Sequence, residues 1–170
     1  MLAALSLMHL GDTTRELFLY DTYSGMTAPS AVDVDPMMAP ATTTWRRLQR
    51  QDRNEWCYAP LDEVTRNLEG TGYPLERIHF IRGRVEETIP SQAPKRIAIL
   101  RLDTDWYEST RHELKHLFPL LSDNGVLIID DYGYWKGARK AVDEYFEQSP
   151  TPLFLHRIDS TGRIAVKRFG

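Results

Sequence analysis

Four aspartates in two short motifs are the residues of this sequence whose types and spacing most clearly indicate chemistry. Asp103 and Asp105 follow one short apolar run, and Asp130 and Asp131 follow the next. If these runs are neighbouring strands, Asp103, Asp130 and Asp131 meet at one edge of a sheet, where they raise one another's pKa unless a cation lies between them. Carboxylate oxygens at an open site favour Mg²⁺, Mn²⁺ or Ca²⁺. The pattern predicts a divalent metal site, with Asp105 placed to accept a proton from a substrate.

Each of these aspartates also has an ordinary alternative. An aspartate after a strand often caps the next helix or lies in a solvated turn, and Asp105 followed by Glu108 also suits a helix start. The coincidence of two acidic pairs after adjacent strands favours the metal site. Trp106 and Trp135 follow the two motifs and either stack on a flat ligand or, as is commoner, cover the core at the sheet edge.

The elements that must position these aspartates alternate along the chain. Short apolar runs rich in β-branched or aromatic residues predict strands buried on both faces, at 17–20, 78–81, 97–102 and 126–129. Helical spacing of apolar residues predicts helices between them, at 1–10, 60–68, 109–121 and 136–146. The tail, 153–157 and 163–168, predicts an antiparallel hairpin. This alternation predicts a doubly wound, mostly parallel α/β sheet that binds ligands beyond the carboxyl ends of its strands.

The segment 25–58 interrupts this alternation. It combines prolines and methionines in a weakly patterned run with a polar, helix-like piece around Trp45 to Arg53. A connection of this length is typical of a lid or a binding loop. We therefore predict one domain over residues 1–170, with 25–58 as its lid or acceptor loop.

The composition excludes several classes of protein. The chain has 170 residues, a net charge of −3 and a single cysteine, Cys57, which excludes an internal disulfide. No apolar run approaches the roughly 20 residues needed to cross a bilayer, and no basic block indicates nucleic acid as a partner. The sequence predicts a cytoplasmic protein that acts on small molecules rather than on nucleic acid or membranes.

Several motifs resemble a known family, the macrocin/mycinamicin-type sugar O-methyltransferases. The most specific are LDTDWYEST at 102–110 and IDDYG at 129–133. The segments 120–126 and 135–143 match as well, so the resemblance runs through nearly the whole chain. The family implies a Rossmann-like class I methyltransferase that uses S-adenosylmethionine and Mg²⁺ to methylate a hydroxyl group of a small molecule, such as a natural-product sugar.

The resemblance also implies a role for each aspartate of the two motifs. Asp103, Asp130 and Asp131 would hold the metal ion, and Asp105 would be the general base. An alcohol is a poor nucleophile, so coordination to Mg²⁺ and removal of its proton by a carboxylate would both assist methyl transfer.

The cofactor site is implied by two further segments that resemble the family, 20–26 and 83–90. Asp21, which ends the first predicted strand, would bind the ribose of S-adenosylmethionine, in the place where nucleotide-binding α/β folds carry an acidic residue. Arg84 and Val85 would border the adenine ring. The segment 25–58 corresponds to the region in which the family places a lid over the acceptor.

One departure from the family concerns the start of the chain. The family has a first strand and a Gly-rich loop, which hold the methionine part of the cofactor, before the helix matched by residues 1–10. The match predicts an N-terminally truncated chain, or one in which another segment or subunit supplies the missing strand. Because a missing strand leaves sheet edges unpaired, we also expect a homo-oligomer.

Two other functions remain open at this point. A non-catalytic methyltransferase remnant would keep the fold without the cofactor chemistry. A haloacid-dehalogenase-like phosphotransferase would also carry Asp-x-Asp after one strand and an acidic pair after another. The two pairs lie too close together in this sequence for the elements that such an enzyme needs between them.

Overall fold

The computed structural model describes residues 1–149 and 153–168 of the chain. The helices are α1 (Leu2–His9), α2 (Ala41–Leu48), α3 (Leu61–Glu69), α4 (Val85–Thr88), α5 (Tyr107–Leu117) and α6 (Lys136–Gln148). The strands are β1 (Leu17–Asp21), β2 (Ile78–Arg82), β3 (Ile97–Leu102), β4 (Leu121–Ile129), β5 (His156–Arg157) and β6 (Arg163–Val166). Two short 3-10 helices lie at Leu75–Arg77 and Phe118–Leu120. Within these described ranges, each helix is too short or too polar to span a bilayer.

The first of two compact units contains Met1–Thr27 and Leu48–Arg84. Its strands β1 and β2 pair in parallel, ending with Asp21 opposite Arg82. Helix α1 is apolar along most of its length, and α3 begins after Pro60, which suits the start of a helix because its fixed φ is already helical. A small apolar core in this unit contains the buried residues Ala4, Leu68, Tyr73 and Ile78.

The second unit contains Ala28–Arg47 and the chain from Val85 onward. Its four strands have the order β3-β4-β6-β5. Strands β3 and β4 pair in parallel, whereas β6 pairs antiparallel with both β4 and β5. The core consists of alternate strand residues and the inward faces of α5 and α6, including Leu102, Leu114, Leu127, Ile129, Ala138 and Val142.

The predicted elements are confirmed in type, with shifts at their boundaries. Strand β3 has the predicted bounds, β1 and β2 are each one residue longer, and the terminal hairpin is present with shorter arms. Strand β4 starts earlier, at Leu121, because it continues past an irregularity in its pairing with β3. Helix α5 begins two residues earlier than predicted and changes to a 3-10 turn where Pro119 interrupts it.

One local prediction was wrong, and one short helix was not predicted. The helix within 25–58 covers Ala41–Leu48. The predicted helix-like segment, around Trp45 to Arg53, was therefore wrong at both ends. The short helix α4 was not predicted, since four residues are too few to show a helical period. Residues 25–27 and 48–58 belong to the first unit and 28–47 to the second. The role of 25–58 as a lid, and the single domain over 1–170, stay predictions.

Candidate active site

The carboxyl ends of β3 and β4 bring the two acidic motifs together. Leu102 lies opposite Ile129, and these are the last residues of the two parallel strands. The backbone N–H of Asp130 donates to the carbonyl oxygen of Leu102 over 3.0 Å, which continues the pairing by one step. Asp103 and Asp130 therefore leave the same edge of the sheet side by side. The predicted adjacency of the two strands is confirmed.

Three of the carboxyl groups converge on a small volume. Asp103, Asp105 and Asp131 each offer an oxygen atom, and these atoms all lie within 4.8 Å of one another. Asp105 reaches this position through an unusual backbone, with φ of +67°. The N–H of Trp106 donates to the carbonyl oxygen of Thr104 over 2.8 Å, closing a γ-turn with Asp105 at its centre. This form of γ-turn is rare and strained for a residue with a side chain.

Asp130 is not one of the three converging aspartates, but it shares a contact with Asp103. Its Oδ2 lies 2.8 Å from Nη2 of Arg101, whose Nη1 lies 2.7 Å from Oδ2 of Asp103. Arg101 therefore bridges the two carboxyl groups that follow β3 and β4. The predicted ligand set consists of Asp103, Asp130 and Asp131. The converging set contains Asp105 in place of Asp130, so the two sets share Asp103 and Asp131. Metal ligation by either set stays a prediction.

The electrostatics of the cluster favour protons or a cation. Burial, together with the hydrogen bond and the charge of Asp131, raises the pKa of Asp105 to about 9. Partial burial and a hydrogen bond with Asp130 raise the pKa of Asp103 to about 7, although Arg101 opposes the shift. Burial also raises the pKa of Asp131. A divalent cation that binds here must therefore displace protons, so its affinity should increase with pH.

The donor set suits a hard divalent cation such as Mg²⁺. All converging atoms are carboxylate oxygens, the ligand type that Mg²⁺ prefers. Within the described residues, Oδ2 of Asp131 is buried and has no hydrogen-bond partner. A buried carboxylate oxygen without a partner is unfavourable, and coordination of a cation would satisfy it. The residues present therefore fit a metal ion at this edge of the sheet.

The two tryptophans after the acidic motifs belong to the core. Trp106 and Trp135 are both buried, and their rings meet edge to face with centroids 5.0 Å apart. Each residue directly precedes a helix, α5 or α6. Of the two roles considered for them, this placement favours covering the core over stacking on a ligand.

Asp33 connects the segment 28–47 to the helices that follow the acidic motifs. Its side chain is 1% exposed. Oδ1 accepts a hydrogen bond from the backbone N–H of Tyr107, the first residue of α5, over 2.8 Å. The N–H of Lys136, the first residue of α6, donates to the carbonyl oxygen of Val34 over 3.0 Å. The segment is thereby attached to the first turns of both α5 and α6.

Gly137 gives Asp33 the space for this contact, and its replacement by Ala is predicted to be costly. A Cβ atom at Gly137 would lie 1.9 Å from Oδ1 of Asp33 and 3.2 Å from Cβ of Tyr107. We expect Gly137→Ala to lower the free energy of unfolding by about 2 to 3 kcal/mol through overpacking and loss of the cap on α5. Gly70→Ala is the control, because its nearest neighbours would lie 3.6 Å away. Equal urea unfolding midpoints for the two variants would contradict this account.

The residues predicted to bind the cofactor lie at strand ends and helix starts. Asp21 ends β1, is exposed, and accepts a hydrogen bond from the backbone N–H of Tyr23 over 2.6 Å, as in an ordinary turn. Arg84 is exposed and ends the first unit, whereas Val85 is buried and begins α4 in the second. Their roles toward ribose and adenine stay predictions.

Three residues with contacts in or near the site were given no role from the sequence. Arg101 lies two positions before Asp103, so strand alternation places both on one side of β3, and this signal was available. Glu113, whose Oε2 accepts a hydrogen bond from Oγ1 of Thr104, was also detectable, as a carboxyl group among the apolar positions of α5. The role of Asp33 could not be predicted from the sequence, because Tyr107 and Gly137, which lie against it, are distant in the chain.

Comparisons with known proteins show the family to which the chain belongs. The profile of the macrocin-O-methyltransferase (TylF) family matches residues 1–167. The 8-demethyl-8-(2,3-dimethoxy-alpha-L-rhamnosyl)-tetracenomycin-C 4'-O-methyltransferase of Streptomyces olivaceus is 32% identical over 152 residues, which are 89% of this chain and 55% of that protein. The mycinamicin III 3''-O-methyltransferase of Micromonospora griseorubida is 32% identical over 151 residues, covering 87% and 56% of the two chains.

Two solved structures of methyltransferases are similar to this chain in fold. The O-methyltransferase NovP superposes with a TM-score of 0.77 at 28% identity, covering 96% of this chain and 64% of NovP. The calicheamicin methyltransferase CalS11 superposes with a TM-score of 0.68 at 19% identity, covering 95% and 65%, which shows the fold alone.

The fold is therefore the α/β fold of the class I methyltransferases, as the sequence predicted. Within that class, the chain belongs to the macrocin O-methyltransferase family. It spans about half the length of the curated relatives that it matches.

Proposed function

We propose that the protein is an S-adenosylmethionine- and Mg²⁺-dependent O-methyltransferase that acts on a sugar hydroxyl group of a natural product. The observation that carries this proposal is the convergence of Asp103, Asp105 and Asp131 at the ends of two adjacent parallel strands. Family membership indicates the reaction class, and the name of one relative contains a rhamnosyl group and a 4'-O-methylated position. Family membership also favours a methyltransferase over the phosphotransferase that was considered from the sequence.

Asp105 is the group proposed to take the proton of the acceptor hydroxyl. Its carboxyl group lies in the converging set, and the γ-turn directs it there rather than along α5. Asp103 and Asp131 would hold the cation, and Asp130 would join them or remain with Arg101. A bound Mg²⁺ supplies charge that lowers the pKa of a hydroxyl group and fixes its orientation. The chain's own task is to place one carboxylate within proton-transfer distance of that hydroxyl.

The cofactor would be held by Asp21, Arg84 and Val85, in the roles that the family resemblance implies. When bound, S-adenosylmethionine would supply an electrophilic methyl group to the acceptor oxygen. The products are a methyl ether, S-adenosylhomocysteine and one proton. A carboxylate that ends β1, such as Asp21, is well placed for ribose hydroxyls in an α/β fold.

The test is methyl transfer from radiolabelled S-adenosylmethionine to a panel of rhamnosylated and other glycosylated natural products. We expect label on a sugar hydroxyl in the presence of Mg²⁺ and its loss with EDTA. Glu147→Gln, an exposed residue of α6, is the matched control and should keep the wild-type rate. Transfer that persists unchanged in EDTA would contradict the metal requirement. A folded protein that transfers no label to any acceptor would instead favour the non-catalytic remnant.

A further inference from the structure

The γ-turn at Asp105 needs support, because its backbone is strained and its neighbours are charged. With φ at +67°, Asp105 adopts a conformation that L-residues with a side chain rarely choose. The turn also directs its carboxyl group toward Asp103 and Asp131, so like charges oppose the arrangement. A strained turn persists only where surrounding contacts determine it.

Thr104, between the two aspartates, receives that support from helix α5. Its Oγ1 donates a hydrogen bond to Oε2 of Glu113 over 2.8 Å. Its carbonyl oxygen accepts from Oγ of Ser109 over 3.2 Å, in addition to the N–H of Trp106 that closes the turn. Both the side chain and the carbonyl group of Thr104 are therefore held by α5 or by its preceding residue.

The burial of the Glu113 carboxyl group has a free-energy cost that a purely structural contact does not require. It is 5% exposed and lies on the inward face of α5 beside Leu114 and Leu117. Burial and the nearby charges of Glu86 and Asp103 raise its pKa to about 8, against the effect of the Thr104 hydrogen bond. A leucine at this position would pack without the cost of burying a carboxyl group. Among residues 1–149 and 153–168, the hydrogen-bond partner of the Glu113 side chain is Thr104.

We propose that Glu113, acting through Thr104, is a positioning residue that holds the γ-turn so that Asp103 and Asp105 face the same point. This inference rests on the proposed function, because it assigns Glu113 a part in presenting the general base and a metal ligand. Glu113 itself touches neither substrate nor metal in this account. Its effect is transmitted by the hydrogen bond to the hydroxyl group of Thr104.

Three substitutions separate this role from simple packing. Thr104→Val removes the hydroxyl group and keeps the shape, Glu113→Leu removes the acceptor, and Glu113→Gln keeps an acceptor oxygen in a neutral side chain. We expect Thr104→Val and Glu113→Leu each to lower kcat about 10- to 100-fold, with KM for S-adenosylmethionine unchanged. Glu113→Gln should retain most of the wild-type kcat. The kcat of the double variant Thr104→Val/Glu113→Leu should be no lower than that of the less active single variant, because both changes remove the same hydrogen bond.

The second readout is the affinity for Mn²⁺, measured by electron paramagnetic resonance of the free ion without any turnover. Thr104→Val and Glu113→Leu should weaken Mn²⁺ binding about 10-fold, since Asp103 and Asp105 lose their common orientation. Glu113→Gln should not weaken it. Glu147→Leu, which makes the same change at an exposed position of α6, controls for loss of a carboxyl group.

The possible results distinguish a positioning role of Glu113 from simple packing and from failure of the proposed function. If Thr104→Val and Glu113→Leu lower only the melting temperature, with kcat and Mn²⁺ affinity of the folded protein unchanged, the contact is packing and the inference is overturned. If Glu113→Leu does not fold, Thr104→Val and Glu113→Gln still decide, because both nearly preserve side-chain volume. If the wild-type protein neither binds Mn²⁺ nor transfers methyl groups, the proposed function fails, and the assignment fails with it.

Discussion

Asp105→Asn is expected to slow methyl transfer by about 10²- to 10⁴-fold, the range that a positioned general base contributes. Asn has nearly the shape of Asp and tolerates positive φ, so the γ-turn should persist without a group that can accept the proton. KM for S-adenosylmethionine should stay at its wild-type value, because Asp105 has no part in the proposed cofactor site. Initial rates of label transfer at saturating Mg²⁺ and acceptor give both constants.

Glu147→Gln again serves as the control for this experiment, since it removes an exposed carboxyl group of α6. A wild-type kcat in Asp105→Asn would mean that another group takes the proton. A large rise in KM with an unchanged kcat would instead place Asp105 in substrate binding. Either result would remove Asp105 from the role of general base.

The second large effect is a loss of stability with rising pH when no divalent cation is present. Asp103 and Asp105 have folded-state pKa values raised to about 7 and about 9, far above that of an aspartate in an unfolded chain. Below about pH 4 both states carry these protons. As pH rises toward about 9, the unfolded state releases its protons first, so the free energy of unfolding falls.

The slope is about 1.4 kcal/mol per pH unit for each carboxyl group that stays protonated only in the folded state. Asp103 should contribute less than Asp105, because its side chain is 45% exposed and solvent screens its charge. Asp105→Asn, which cannot titrate, should therefore give a shallower slope and exceed the wild-type stability near pH 9 in EDTA.

Divalent cation should reverse this pH dependence. A cation that binds only the folded state at 100 times its Kd adds about 2.7 kcal/mol, and it binds more tightly as the carboxyl groups lose their protons. Urea unfolding between pH 5 and pH 9, with EDTA and with Mg²⁺, measures both effects. A wild-type stability that rises with pH in EDTA would contradict the proposed arrangement of the carboxyl groups.

The sequence predicted the framework of the site because that framework depends on local patterns. The apolar runs before Asp103 and Asp130 define two strands, and parallel strands necessarily bring their carboxyl ends to one edge. The adjacency of β3 and β4 followed from two short runs separated by one helix. The motifs LDTDWYEST and IDDYG then indicated the family, which the family match confirms.

The remaining features depend on contacts between distant residues. The bridge from Arg101 to Asp130 spans two strands, and the cap from Asp33 to Tyr107 joins segments 74 positions apart. The γ-turn at Asp105 arises from the contacts of Thr104 with α5, since aspartate has only a weak preference for positive φ. Such details require the tertiary structure, whereas strand ends and helix faces do not.

The most direct test of the metal site is a titration of the protein with Mn²⁺, with free Mn²⁺ measured by electron paramagnetic resonance at pH 8. The account predicts one bound Mn²⁺ per chain, competition by Mg²⁺, and an affinity that Asp131→Asn lowers strongly while Glu147→Gln leaves it unchanged. A protein that binds no Mn²⁺, or that binds it equally well after Asp131→Asn, would contradict the claim that these carboxylates hold a divalent cation.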